Sequence, residues 1–209
     1  MMRFAVRVGV ACLVFAALAW SGSARAADFA IGSVRAVRGD VTRESGGEPQ
    51  PLVAKAPVYL GDVIVAGAGK AQLSLNDGTI ISIGENTRLR LEVYRATTNA
   101  FTTRLHLVSG VLRLLVAKVT AVGQFEIETE TAIAAVRGTD WLIDATAEQT
   151  SVAIISGRVA VTARDVTSAA TVVLDGPGLG TDVRRGMPPT GPVTWGAARF
   201  AKTLARASF

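Results

Sequence analysis

The sequence predicts an all-β domain, built of short strands with glycine corners and closed either as β-solenoid-like coils or as a two-sheet β-sandwich, followed by a short C-terminal helix. Three observations carry the prediction. Apolar residues alternate with polar ones over short runs, as in Leu73, Leu75, Ile81 and Ile83. Glycines punctuate the runs at Gly39, Gly61, Gly78, Gly110, Gly138 and Gly157, at irregular intervals that exclude a strict-period repeat. No stretch before Pro192 has the 3.6-residue periodicity of an amphipathic helix.

The elements follow in order. Ile31 to Val41 alternates and turns at Gly39-Asp40, and Glu44 to Pro51 is a loop dense in turn residues. Val58 to Val65 repeats the Gly-Asp-Val corner at Gly61-Asp62-Val63, where Asp62 is expected to cap a turn, as is Asp77 in the next segment. Lys70 to Leu91 reads as a hairpin turning at Asn76-Asp77-Gly78, and Leu89 and Leu91 continue the alternation. Phe101 to Ala117 is strand with a break at Ser109-Gly110, and Phe125 to Thr131 alternates against Glu126, Glu128 and Glu130. Ala132 to Val161 reads as the organising stretch: two β-branched runs each end in a glycine, and Val136-Arg137-Gly138-Thr139-Asp140-Trp141 forms the first corner. Ala170 to Leu174 gives one more strand.

Four segments result. Residues 1–26 have a basic start, an apolar run from Val8 to Trp20 and a small-residue end at Ala24-Arg25-Ala26. That is the pattern of a secretory signal cleaved before Ala27, and the run is shorter than the roughly 20 residues that span a bilayer. Residues 27–175 are the β domain, 176–193 a Gly/Pro-rich linker, and 194–209 a short basic amphipathic helix with Arg199, Lys202 and Arg206 on one face and Ala197, Phe200, Ala201 and Leu204 on the other. The expected product is periplasmic, with no integral membrane span after cleavage. Its sole cysteine, Cys12, leaves with the signal, so it forms no disulfide.

The net charge of +5 is unevenly spread. Arg3, Arg7 and Arg25 lie in the signal, and Arg184, Arg185, Arg199, Lys202 and Arg206 all follow the last acid, Asp182. The body between them is slightly acidic and poor in aromatics, which argues against a nucleic-acid partner. One histidine, His106, falls on the outward face between Leu105 and Leu107, so no transition-metal site and no cofactor is expected. No Gly-x-Ser-x-Gly elbow is present, and the reading is not an enzyme. Glu126, Glu128 and Glu130 share one strand face about 7 Å apart and read as a solvated acidic face.

The candidate partner-binding residues are Arg137, Thr139 and Asp140 at the glycine corner and Arg199, Lys202 and Arg206 on the helix. Arg137 is expected either to pair with Asp140 or to offer its fork of donors to a partner carboxylate. Trp141 is expected in the core.

An ordered set of motifs carries a family resemblance: Gly61-Asp62-Val63-Ile64-Val65, Leu75-Asn76-Asp77-Gly78-Thr79-Ile80-Ile81, Leu107-Val108-Ser109-Gly110-Val111, Ala135-Val136-Arg137-Gly138-Thr139-Asp140-Trp141 and Ile155-Ser156-Gly157-Arg158-Val159. From about Gly32 to Asp175 the chain resembles the FecR periplasmic domain family. In the family's best-known members this β domain follows a cytoplasmic anti-sigma segment and one membrane helix, and precedes a module that touches an outer-membrane transporter. The export signal at the start of this chain is expected to replace the first two. The resemblance implies an exported β domain that senses or binds an envelope protein. A carbohydrate- or envelope-polymer-binding domain is the alternative, and it would require an exposed aromatic platform.

Overall fold

The computed structural model describes residues 29–96, 100–117, 122–164 and 170–209. The expected signal at 1–26 lies outside the described residues. From Ala30 onward the chain shuttles between two antiparallel-rich sheets. One, the helix-side sheet, has the order β4 (Pro57–Tyr59), β1 (Ala30–Arg38), β6 (Lys70–Leu75), β7 (Ile80–Ile83), part of β9 (Ala100–Leu115), β12 (Asp140–Ala145), β13 (Gln149–Ser156), β16 (Leu179–Arg184) and β17 (Val193–Thr194). The other, the open sheet, runs β3 (Gln50–Pro51), β2 (Val41–Glu44), β5 (Val63–Ala66), β8 (Thr87–Ala96), the rest of β9, β10 (Val122–Glu128), β11 (Ala132–Val136), β14 (Val159–Ala163) and β15 (Thr171–Leu174).

β9 belongs to both sheets. Its first half lies antiparallel to β8 and parallel to β10, with Leu105 opposite Leu91 and Ile127. Its second half lies antiparallel to β7 and β12, with Leu114 opposite Ile81 and Trp141. The strand bends at Gly110, whose φ of +102° is open to glycine and strained for other residues. The chain is therefore organised around β9 rather than around 132–161, and the Ser109-Gly110 break is the hinge between the sheets.

The two sheets face each other across one core, which settles the alternative between solenoid and sandwich as a two-sheet packing. Alternation decides which side chains enter it: in β6, Ala71, Leu73 and Leu75 are buried while Lys70, Gln72 and Ser74 are not. Phe125, Trp141, Leu73, Ile81, Leu105, Leu107, Leu112 and Leu114 are among the largest side chains sealed from solvent. Trp141 is core, as expected.

A third layer covers the outer face of the helix-side sheet. Val111, Leu142 and Ala153 point away from the main core and are buried by Trp195 and Ala207, with Ile155, Phe200 and Leu204 packed around them. Here α1 (Ala197–Ala207) lies on β9 and β12. The expected apolar stripe is rotated: Thr203 and Ala207 are buried, Phe200 and Leu204 half-buried, and Ala197 and Ala201 exposed. No helix among the described residues is long and apolar enough to cross a membrane.

The segment 176–193 is not a linker. It contributes β16, paired with β13 through Ser151 opposite Asp182, and β17, paired back on β16. Between them Thr190 is tied down by hydrogen bonds to Thr181 and Asp182. Glycine and proline here make a tight return, and the short alternating run Thr181-Asp182-Val183 was hidden among them.

Candidate functional site

The corner Val136 to Trp141 carries the chain from β11 in the open sheet to β12 in the helix-side sheet. A second crossover, from β13 back to β14, lies against it at Gly157. Gly138 (φ +64°) and Gly157 (φ +96°) both sit in the left-handed region, and a Cβ on Gly157 would press on Thr139 Oγ1 and Gly138 O. Thr139 stitches the two: its hydroxyl donates to Arg158 O at 2.9 Å and accepts the Arg158 N–H at 3.3 Å. Thr139 O also accepts the Val116 N–H at 2.9 Å. With the side chain buried and its hydrogen bonds committed, Thr139 holds the corner together and offers no surface to a partner, contrary to the expectation.

Asp140 is likewise occupied, but not by Arg137. Arg113, on the neighbouring strand β9, donates from Nε to Oδ1 at 3.0 Å and from Nη2 to Oδ2 at 2.8 Å. This fork-on-carboxylate geometry pushes the Arg113 guanidinium further up, against the opposing effect of burial. The expected Arg137–Asp140 pair is therefore replaced by a cross-strand pair, because Asp140 points along the outer face of the sheet toward β9 and Arg137 belongs to the turn. Arg137 is exposed and makes no ion pair among the described residues. Arg158 beside it is 72% exposed and meets Asp175 only at 3.8 Å. The corner is thus a rigid base with a positively charged top.

On α1 two of the three basic residues face inward. Arg199 bonds Asp182 and Ser151, with Nη1 to Oδ2 at 3.0 Å, and stacks on Trp195 with its guanidinium 3.7 Å from the ring centre. Arg206 pairs with Asp144. From the other side, Lys70 Nζ donates to the helix-end carbonyls of Ala205 and Ser208 at 2.9 and 3.0 Å. The basic face fastens the helix to its own sheet. Only Lys202 remains exposed without an ion pair among the described residues, lining an open depression of about 360 Å³ with Lys70, Glu85, Asn86, Ala205 and Arg206. Arg137, on the β11–β12 corner, is not among the residues that line this depression.

The Arg199–Asp182 clamp predicts a pH dependence. Burial raises the Asp182 carboxyl, but hydrogen bonds from Arg199 and Ser151 and the charge of Arg199 outweigh it and hold the group below its usual value. A depressed folded-state value stabilises the fold above the unfolded carboxyl pKa, and that contribution is lost as pH falls through the folded value. Acidification below about pH 4 should therefore loosen α1. Trp195 emission followed from pH 6 downward checks this, and Asp182→Asn should remove the dependence while starting from a weaker clamp.

The acidic strand face is not simply solvated. Arg104 contacts Glu126 and Glu128 at 3.0 and 2.9 Å, and His106 lies between Glu92 and Glu130 at 3.4 and 3.3 Å. β9 supplies these partners through its parallel register with β10. Asp62 and Asp77 cap turns as expected: Asp62 accepts the Tyr59 N–H at 2.8 Å and Asp77 the Thr79 N–H at 2.8 Å. No group of three or more His, Cys, Asp or Glu side chains placed so that it could hold a metal ion occurs among the described residues.

Residues 62–160 match the family model described as FecR protein. The match runs from the Asp62 turn to β14 and includes the corner at Arg137. Among solved structures the fold resembles a candidate anti-sigma factor from Parabacteroides distasonis ATCC 8503. Its 1.65 Å crystal structure is 18% identical with a TM-score of 0.50, over 66% of this chain and 62% of that one. The 2.50 Å structure is 19% identical with a TM-score of 0.49, over 62% and 59%. This chain thus spans about three fifths of the length of the structures it matches, and at that identity the likeness concerns the fold. No curated protein matches the chain.

Proposed function

We propose that this chain is a regulatory, non-enzymatic FecR-like module of the cell envelope, exported by residues 1–26, that senses or scaffolds by binding a protein partner through Arg137. The observation that carries the reading is the FecR match over 62–160, whose crossover corner holds Arg137 exposed above a buried, hydrogen-bonded base. A guanidinium offers two parallel donors to a carboxylate, and a corner that is already rigid loses little freedom on binding. The description of the Parabacteroides protein as an anti-sigma factor supports a protein as the partner class. The glycan reading is weaker, since Trp141 and Trp195 are 0% and 5% exposed and neither forms a platform.

In-cell cross-linking of the tagged chain tests both parts. Wild type should recover a defined envelope protein, and Arg137→Glu should reduce recovery at least tenfold with unchanged melting, a loss of about 1.4 kcal/mol. Full recovery with Arg137→Glu, or glycan-array binding without a protein cross-link, would overturn the partner reading. The product should fractionate with the periplasm and begin at Ala27; a membrane-bound product that retains Met1 would overturn export alone.

A further inference from the structure

An edge strand presents backbone donors and acceptors that another chain can pair with, and folded proteins blunt such edges with short strands, prolines and charges. The two sheets end on β3, β4, β15 and β17. Three of these are protected: Pro51 lies in two-residue β3, Pro57 opens three-residue β4, and Pro192 directly precedes two-residue β17. The fourth is different. β15 is four residues, Thr171-Val172-Val173-Leu174, with no proline and no charge, and Val173 is 44% exposed.

The register fixes which backbone groups point outward. Ala163 donates its N–H to Ala170 O, next to the pair Thr162 opposite Thr171. Hydrogen-bonded pairs recur at every second residue of an antiparallel ladder. Val172 and Leu174 therefore bond β14, and Thr171 and Val173 turn their N–H and C=O groups away from it. No strand among the described residues pairs with that side. Leu174 is buried in the core and Val172 packs against it, so the outward groups sit on an anchored strand.

We infer that β15 is a homodimerisation edge, to which a second copy adds its own β15 antiparallel about a two-fold axis at Val172. In that register Thr171 lies opposite the partner's Val173 and Val173 opposite the partner's Thr171. Both are outward-facing residues, so the pattern is self-complementary and closes four backbone hydrogen bonds. The seam contains no charged side chain, and the two open sheets become continuous. This self-association is independent of the partner proposed for Arg137.

Sedimentation of the full chain across roughly 1 to 200 µM tests it, the range in which a micromolar Kd is visible. Wild type should shift from monomer to dimer. Val173→Pro removes an outward N–H that β14 does not use, so it should give monomer throughout, while Val173→Thr should still dimerise. If the proline variant misfolds, Val173→Lys replaces it, placing like charges in the seam, and should also be monomeric. A wild type monomeric at every concentration would overturn the inference, as would a dimer that survives Val173→Lys. A monomer that instead captures an extended β-branched peptide at this edge would assign β15 to a partner's strand and equally overturn it.

Discussion

Gly110→Val should leave little folded protein, and what folds should melt at least about 10 °C below wild type. Gly110 is the bend that lets β9 serve both sheets, and its φ of +102° is one that a β-branched residue strongly resists. Strain of that kind costs about 1–3 kcal/mol. A Cβ would in addition overlap the backbone Cα of Thr87, an atom that cannot rotate away. Thr87 is fixed there because its hydroxyl accepts the Val111 N–H at 3.0 Å, so relieving the clash breaks the β8–β9 seam. The sum should exceed about 4 kcal/mol, a large part of a typical domain's 5–15. A melting shift of about 2–4 °C per kcal/mol at this size sets the scale. Gly110→Ala should fall between the two; a valine variant melting within a few degrees of wild type would show that β9 can bend without glycine.

That hinge was only half visible in the sequence. Alternation and Asn76-Asp77-Gly78 were enough to place the β6–β7 hairpin, because a two-residue period and a positive-φ glycine are local signals. Ser109-Gly110 showed as a break, but whether a break ends a strand or bends it depends on β7 and β12, which lie far away in sequence. The same limit explains the site. Arg113 and Asp140 are 27 residues apart and meet only through strand register, and Thr139 looks like a surface hydroxyl until the Gly157 corner closes over it. Glu126, Glu128 and Glu130 read as a bare acidic face because a parallel neighbour carrying Arg104 and His106 leaves no trace in local pattern. The helix was legible from composition; its seat was not, since Val111, Leu142 and Ala153 look like ordinary alternation defects in strands.

Gly180→Leu should unseat that helix while the β-sandwich stays folded. Gly180 lies directly beneath Trp195, and any Cβ would enter the space of the indole ring. Trp195 is the anchor of the outer layer: it is 5% exposed, its backbone N–H donates to Gly178 O at 2.9 Å, and Arg199 stacks on its ring. Losing a buried tryptophan costs about 3–5 kcal/mol. The Arg199–Asp182 and Arg206–Asp144 pairs are partly exposed and contribute at most about 1 kcal/mol each, so they cannot hold an eleven-residue helix that lacks a side-chain N-cap. Release should shift Trp195 emission to the red, open the amides of residues 197–207 to exchange, and leave the β-sheet dichroism in place. The exposed Val111, Leu142 and Ala153 face should also lower solubility. A double-mutant cycle isolates the cause: once Trp195→Ala has removed the ring, Gly180→Leu should add little further destabilisation. If the two losses simply add, the glycine matters to β16 itself and not to the seat of the helix.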